Sequence, residues 1–149
     1  MNIELTKEQF KTLFKMVHLG EWMINGIRTS DEYIKEYEEL NDFIFSFAKE
    51  AGLEKWVKFD ETSGKFNPSL EFDENAEINN FIDESNNEIF WAELPDRLGR
   101  RDFVREYGED AIKKMDRNER FLKHREFACR YEDEFCKNGI NRLEIKEDE

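Results

Sequence analysis

The chain has 149 residues, of which 40% are charged, and 36 acidic side chains against 23 basic ones leave a formal net charge of -13. A hydrophobic fraction of 38% would suit a disordered chain, but fourteen Phe and an aromatic share of 14% exclude that reading, because disordered segments are poor in aromatics. No apolar run is long enough for a secretion signal or for the ~18 residues of a membrane span, so a cytoplasmic protein away from membranes is expected.

"MNIEL" alternates weakly and reads as a short strand. Thr6 and Gln9 then form a capping box for a first helix. Phe10, Leu13, Phe14, Val17 and Ile24 share one face of it at core spacing. Met16, Leu19, Met23 and Ile27 share roughly the opposite face, where a surface helix normally carries polar side chains. A central place in a small bundle explains such a helix; a self-association face explains it equally in kind, and Met adapts well to such surfaces. Thr29 with Glu32, or Ser30, is expected to open a second helix over about 31–51. Its stripe is Tyr33, Ile34, Tyr37, Leu40, Ile44, Phe47, Ala48 and Ala51, and Gly52 closes it.

From Leu53 to Phe72 the helical period lapses. Aromatic and β-branched residues flank "ETSG", which predicts a short hairpin. Asp73 to Ser85 reads as a short acidic helix, and "SNN" separates it from another opening near Glu88. Pro95 is expected to kink or break that one. After Gly108 a long helix is expected over about 110–137. Met115, Leu122, Cys129 and Cys136 recur along it every seven residues, with Phe127 and Tyr131 as a second patch. The two cysteines lie too far apart along one helix for a disulfide and read as small core hydrophobes. "INRLEI" is a candidate final strand, and residues 144–149 a frayed acidic tail.

Charge is distributed unevenly. Residues 1–96 hold twenty-two acidic side chains against nine basic ones, whereas residues 97–130 hold eleven basic against seven acidic. Arg97, Arg100, Arg101 and Arg105 crowd together in this basic segment. On a straight helix Arg97, Arg101 and Arg105 fall in the same arc as Phe90, Leu94 and Leu98. Half-buried guanidiniums are therefore expected, paired with Glu93, Asp96, Glu109 or the acidic helix upstream, since Arg cannot shed its charge. Binding of a small anion by the same four arginines is the sharper alternative. A nucleic-acid partner is disfavoured by the overall charge.

Glycine-rich nucleotide loops, the GxSxG elbow and CxxC pairs are all absent, and none of the five serines sits in a nucleophile setting. His18 lies three residues before Glu21, a spacing that can serve a metal but arises by chance in a Glu-rich chain; a structural or surface histidine is favoured. His124, between Lys123 and Arg125, reads as a surface group. No catalytic residue, metal or cofactor is assigned, and enzymatic activity is left open with the balance against it.

The expectation is one mainly α (α+β) domain over residues 1–149, a four- to five-helix bundle with a small antiparallel β-hairpin. The functional reading is an interaction or regulatory module that forms a homodimer, or binds another protein, through Met16, Leu19, Met23 and Ile27. The alternatives are an enzyme or binder of small anionic metabolites using the arginines, and an acidic inhibitor that imitates nucleic acid.

Overall fold

In a computed structural model, which describes residues 2–144, the chain divides into two compact units, Met1–Ile82 and Asp83–Glu149. The fold is mainly α with one two-stranded antiparallel sheet. In the first unit, helix α1 (Lys7–Asn25) opens with the expected capping box: the Thr6 hydroxyl accepts from the Gln9 N–H, and the Gln9 side chain accepts from the Thr6 N–H. Residues 2–5 are exposed and form no strand. They have no partner strand to satisfy their backbone groups, and alternation over so few residues is too weak to supply one.

The second helix begins later than its apolar pattern suggests. Thr29 and Glu32 do bond each other, but they close a turn rather than a helix start. Helix α2 (Lys35–Ser46) follows, and Phe47 separates it from a single further turn, α3 (Ala48–Ala51). Gly52 then takes a left-handed conformation (φ 77°), as expected of the terminating residue. The fully buried Asn25 side chain holds the loop between α1 and α2. Its amide oxygen accepts from the Ile34 N–H at 3.0 Å, and its nitrogen donates to Glu21 at 3.1 Å and to the Ile34 carbonyl at 3.4 Å. One side chain thus bonds both backbone groups of Ile34, whose carbonyl also accepts from the Tyr37 N–H at 3.2 Å.

The hairpin lies where the helical period lapses. β1 (Val57–Asp60) pairs with β2 (Lys65–Pro68), Val57 opposite Pro68 and Asp60 opposite Lys65. Asp60 organises the turn: its carboxylate accepts from the Thr62 N–H and the Ser63 hydroxyl, and Gly64 supplies the positive φ of 69°. Asp42 of α2 accepts from the Phe66 N–H at 2.6 Å, which ties sheet to helix. Ser69 caps the short α4 (Leu70–Asp73).

The core of this unit is aromatic. Phe14, Phe45, Ala48, Phe72 and Ile78 are buried together, with Phe10, Leu19, Trp56 and Phe66 packed around them. Phe14 and Phe45 stack at 4.1 Å, and Phe72 meets Phe14 edge-on at 5.3 Å. Tyr37 and Leu40, both assigned to the buried stripe of α2, are exposed instead, while Phe45 and Asn41 are buried. The face that packs is therefore rotated from the one with most apolar residues.

Helix α5 (Ala76–Tyr107) is continuous where two helices were expected. Asn75 caps it by accepting from the N–H groups of Glu77 and Ile78. Ser, Asn and Asn at 85–87 cost only tenths of a kcal/mol each in a helix, so they do not suffice to end one. Pro95 lies inside it and is buried. It gives up one backbone hydrogen bond, and burial of its ring offsets part of that loss. In the second unit α6 (Glu109–Lys114) and α7 (Arg117–Asn138) replace the single long helix. Asp116 starts α7 by accepting from the N–H groups of Asn118 and Glu119.

Helices α5 and α7 meet at Gly99 and Ala128. A Cβ on Gly99 would stand 2.7 Å from the Ala128 backbone, so only glycine permits this approach. Pro95, Gly99 and Phe103 of α5 face inward together with Ala128 and Phe135 of α7. Phe127 and Tyr131, the expected minor patch, belong to this packed face, whereas Leu122 and Cys136 are exposed. Cys136 is thus not a core residue, and Cys129 is only half-covered; both thiols are free. Gly139 closes α7, and residues 140–144 form a turn and an exposed extension rather than a strand. The rest of the expected frayed tail, residues 145–149, lies outside the described residues.

Candidate functional site

Two surfaces gather the residues singled out by the sequence. The first is on α1. Met16 and Met23 are exposed to 64% and 65%, and Ile27, just beyond the helix, to 88%. Leu19 departs from the group: it is half-buried against the aromatic core. Gly20 lies between Met16 and Met23, and a Cβ there would touch nothing within 4 Å. The stripe is therefore Met16, Met23 and Ile27, exposed around a half-buried Gly20, with a notch at its centre that nothing among the described residues fills. A mid-helix glycine costs about 0.5–1 kcal/mol relative to alanine, and no intramolecular contact here requires it.

On the inner side of the same helix, His18 meets Phe72 edge-on at 4.9 Å. Its Nδ1 is buried without a hydrogen-bond partner. Burial holds the imidazole below its ordinary pKa, and the carboxylates of Asp73 and Glu21 oppose that shift without cancelling it. The ring faces the core rather than sharing a ligand site with Glu21. Among the described residues, no group of three or more His, Cys, Asp or Glu side chains is arranged to hold a metal ion.

The second surface is on the second unit, where the structure divides the four arginines. Only Arg101 is half-covered, its side chain 45% exposed; Arg97 and Arg105 are 77% and 70% exposed, and Arg100 is exposed too, so the four do not extend the apolar stripe. The reason is the Gly99 crossing: it sets the buried arc at Pro95, Gly99 and Phe103, which turns Arg97 and Arg101 outward. The local ion pairs differ accordingly. Arg97 bonds Glu93 at 2.9 Å, as its spacing predicts. Arg101 and Arg105 instead converge on Asp102, at 2.8 and 3.5 Å. Tyr131 of α7 donates its hydroxyl to the same carboxylate and accepts from Arg101 at 2.9 Å. The Arg101 hydrogen bond, then that of Tyr131, holds the Asp102 carboxyl below the usual range; burial, then Asp102, pushes the Tyr131 phenol up. This group is closed on itself and links α5 to α7.

Arg100 alone of the four faces a different way, into a groove of about 830 Å³. Phe103, Val104, Ile112 and Phe121 contribute its apolar surface, and Lys113, Arg117, Arg120 and His124 join Arg100 as its basic side chains. Two carboxylates reach it: Glu109 lies 3.8 Å from Lys113, and Asp96 lies 3.6 Å from His124, a contact that is an ion pair only when the ring is protonated. Arg100 and Arg117 have no ion-pair partner among the described residues, and Arg120 reaches only the Met115 carbonyl at 3.4 Å. Sequence reasoning missed Lys113, Arg117 and Arg120. The spacing of Arg117, Arg120 and His124 on one helical face was the available signal, but nothing local said that α6 and α5 would bring Lys113 and Arg100 to it.

No helix among the described residues is long and apolar enough to cross a membrane. Comparison of the chain with protein-family models, with curated proteins and with solved structures finds no match to any of them.

Proposed function

We propose that this chain is a protein-interaction module that self-associates, two copies meeting along the exposed stripe of α1. The observation that carries the reading is the exposure of Met16 and Met23 on either side of Gly20. Flexible thioether side chains adapt to a partner surface, and a glycine notch lets two helix backbones approach closely. A second copy is the occupant of choice because the stripe is short, apolar and carries its own knobs and notch, as an isologous contact requires.

Sedimentation equilibrium of the full chain tests this. Wild type should show a concentration-dependent monomer–dimer equilibrium, and the double variant Met16→Glu, Met23→Glu should remain monomeric with its melting temperature little changed. A wild-type chain that is monomeric throughout, or a double variant that dimerises as well as wild type, overturns the proposal.

A further inference from the structure

We infer that the groove between α5, α6 and the first turns of α7 is a binding site for a small molecule that joins an anionic group to an apolar body. This goes beyond self-association and rests on different residues. Three observations converge. The groove volume, about 830 Å³, is in the range of small-molecule sites. Its basic side chains outnumber the carboxylates that reach it, and neither carboxylate forms an ion pair with an arginine of the groove: Glu109 lies by Lys113 and Asp96 by His124. Its remaining surface is apolar: Phe103, Val104, Ile112 and Phe121.

A further observation concerns where the cations sit. Arg117 and Arg120 occupy the first turns of α7, next to the positive end of the helix dipole, which disfavours cations there. Arg100 of α5 faces the same space, so like charges are brought together beside an apolar surface. Nothing in the chain's own pairing among the described residues relieves this. A phosphate, sulfonate or carboxylate would, through the forked guanidinium donors, while its apolar body covers Phe103 and Phe121. The exposed Arg97, already bonded to Glu93 on the same helix, is the built-in contrast.

The probe is 8-anilinonaphthalene-1-sulfonate, which carries one sulfonate on an aromatic body and fluoresces when taken out of water. Titrations compare the full-length wild type with Arg97→Gln and with the double variant Arg100→Gln, Arg117→Gln; melting curves establish that each is folded. The wild type should show a saturable site that Arg97→Gln leaves intact. The double variant should bind the dye at least about tenfold more weakly, as loss of two charge-assisted contacts implies. Absence of saturable binding to the wild type overturns the inference. So does equal affinity in the double variant, which would place the dye on the exposed apolar stripe of α1 or elsewhere. Repeating the titration with the Met16→Glu, Met23→Glu chain separates the two surfaces, because dye held in the groove should be insensitive to that change.

Discussion

His18 brings a titratable ring against Phe72 and Phe45 with one ring nitrogen unpartnered. Because burial depresses its pKa in the folded chain, protonation favours the unfolded state. The stability it contributes is fully present above the ordinary imidazole value and is lost as pH falls through the folded value. Urea midpoints should therefore fall for the wild type as pH drops below about 6.5. His18→Leu, which leaves the Asp73 and Glu21 charges in place, should remove that part of the slope. Parallel profiles for the two chains would show that the ring titrates as if in water. Asn25 works by the opposite logic, a buried polar group whose bonds to Ile34 and Glu21 are made. Sequence pattern set His18 apart from a metal site but left it between core and surface, and it gave no sign of Asn25, since an asparagine near a helix end reads as a cap until the loop it holds is seen.

Helices were legible as helices, less so their faces. The capping box at Thr6, the stop at Gly52 and the hairpin around Gly64 are local chemistry and stand where the sequence puts them. The packed faces of α2, α5 and α7 do not, because hydrophobic spacing weighs side chains and the α5–α7 contact is set by their absence. Gly99 and Ala128 let two backbones come together, and that crossing decides which arginines point outward. Two glycines should thus respond oppositely to alanine. Gly99→Ala should destabilise the fold by about 1–3 kcal/mol, because the added methyl meets the Ala128 backbone. Gly20→Ala should raise chemical stability by about 0.5–1 kcal/mol through helix propensity, while weakening self-association by filling the notch. Denaturation at low protein concentration, paired with sedimentation, reads both effects. A stabilised Gly99→Ala would mean that the crossing is loose.

At the scale of the whole molecule, charge and the α1 stripe act against each other. Each copy carries a formal -13, so in the proposed dimer the two copies would repel while their apolar stripes attract. Raising ionic strength from about 0.01 to about 1 M shortens the screening length from about 30 to about 3 Å, which removes the repulsion and leaves the apolar contact. Self-association should tighten with salt; weakening would mean that ion pairs, not Met16 and Met23, hold the copies together. Net charge and its uneven spread are legible directly in the sequence. It could not show that one arginine of four enters a groove, because that depends on helices brought together from α5 to α7.

The loop clasp at Asn25 also bears on how the protein ages. Asn25–Gly26 and Asn138–Gly139 are the sequence context in which asparagine deamidates fastest, by attack of the glycine nitrogen on the side-chain amide. In the folded chain both glycine N–H groups are committed to helix carbonyls, of Trp22 and Phe135, and the Asn25 amide is held by Ile34 and Glu21. Native protein should therefore deamidate slowly at both sites and unfolded protein quickly. A molecule converted at position 25 would return to its fold with a carboxylate facing the Ile34 carbonyl and the Glu21 carboxylate, so a chain once damaged while unfolded would unfold more readily thereafter.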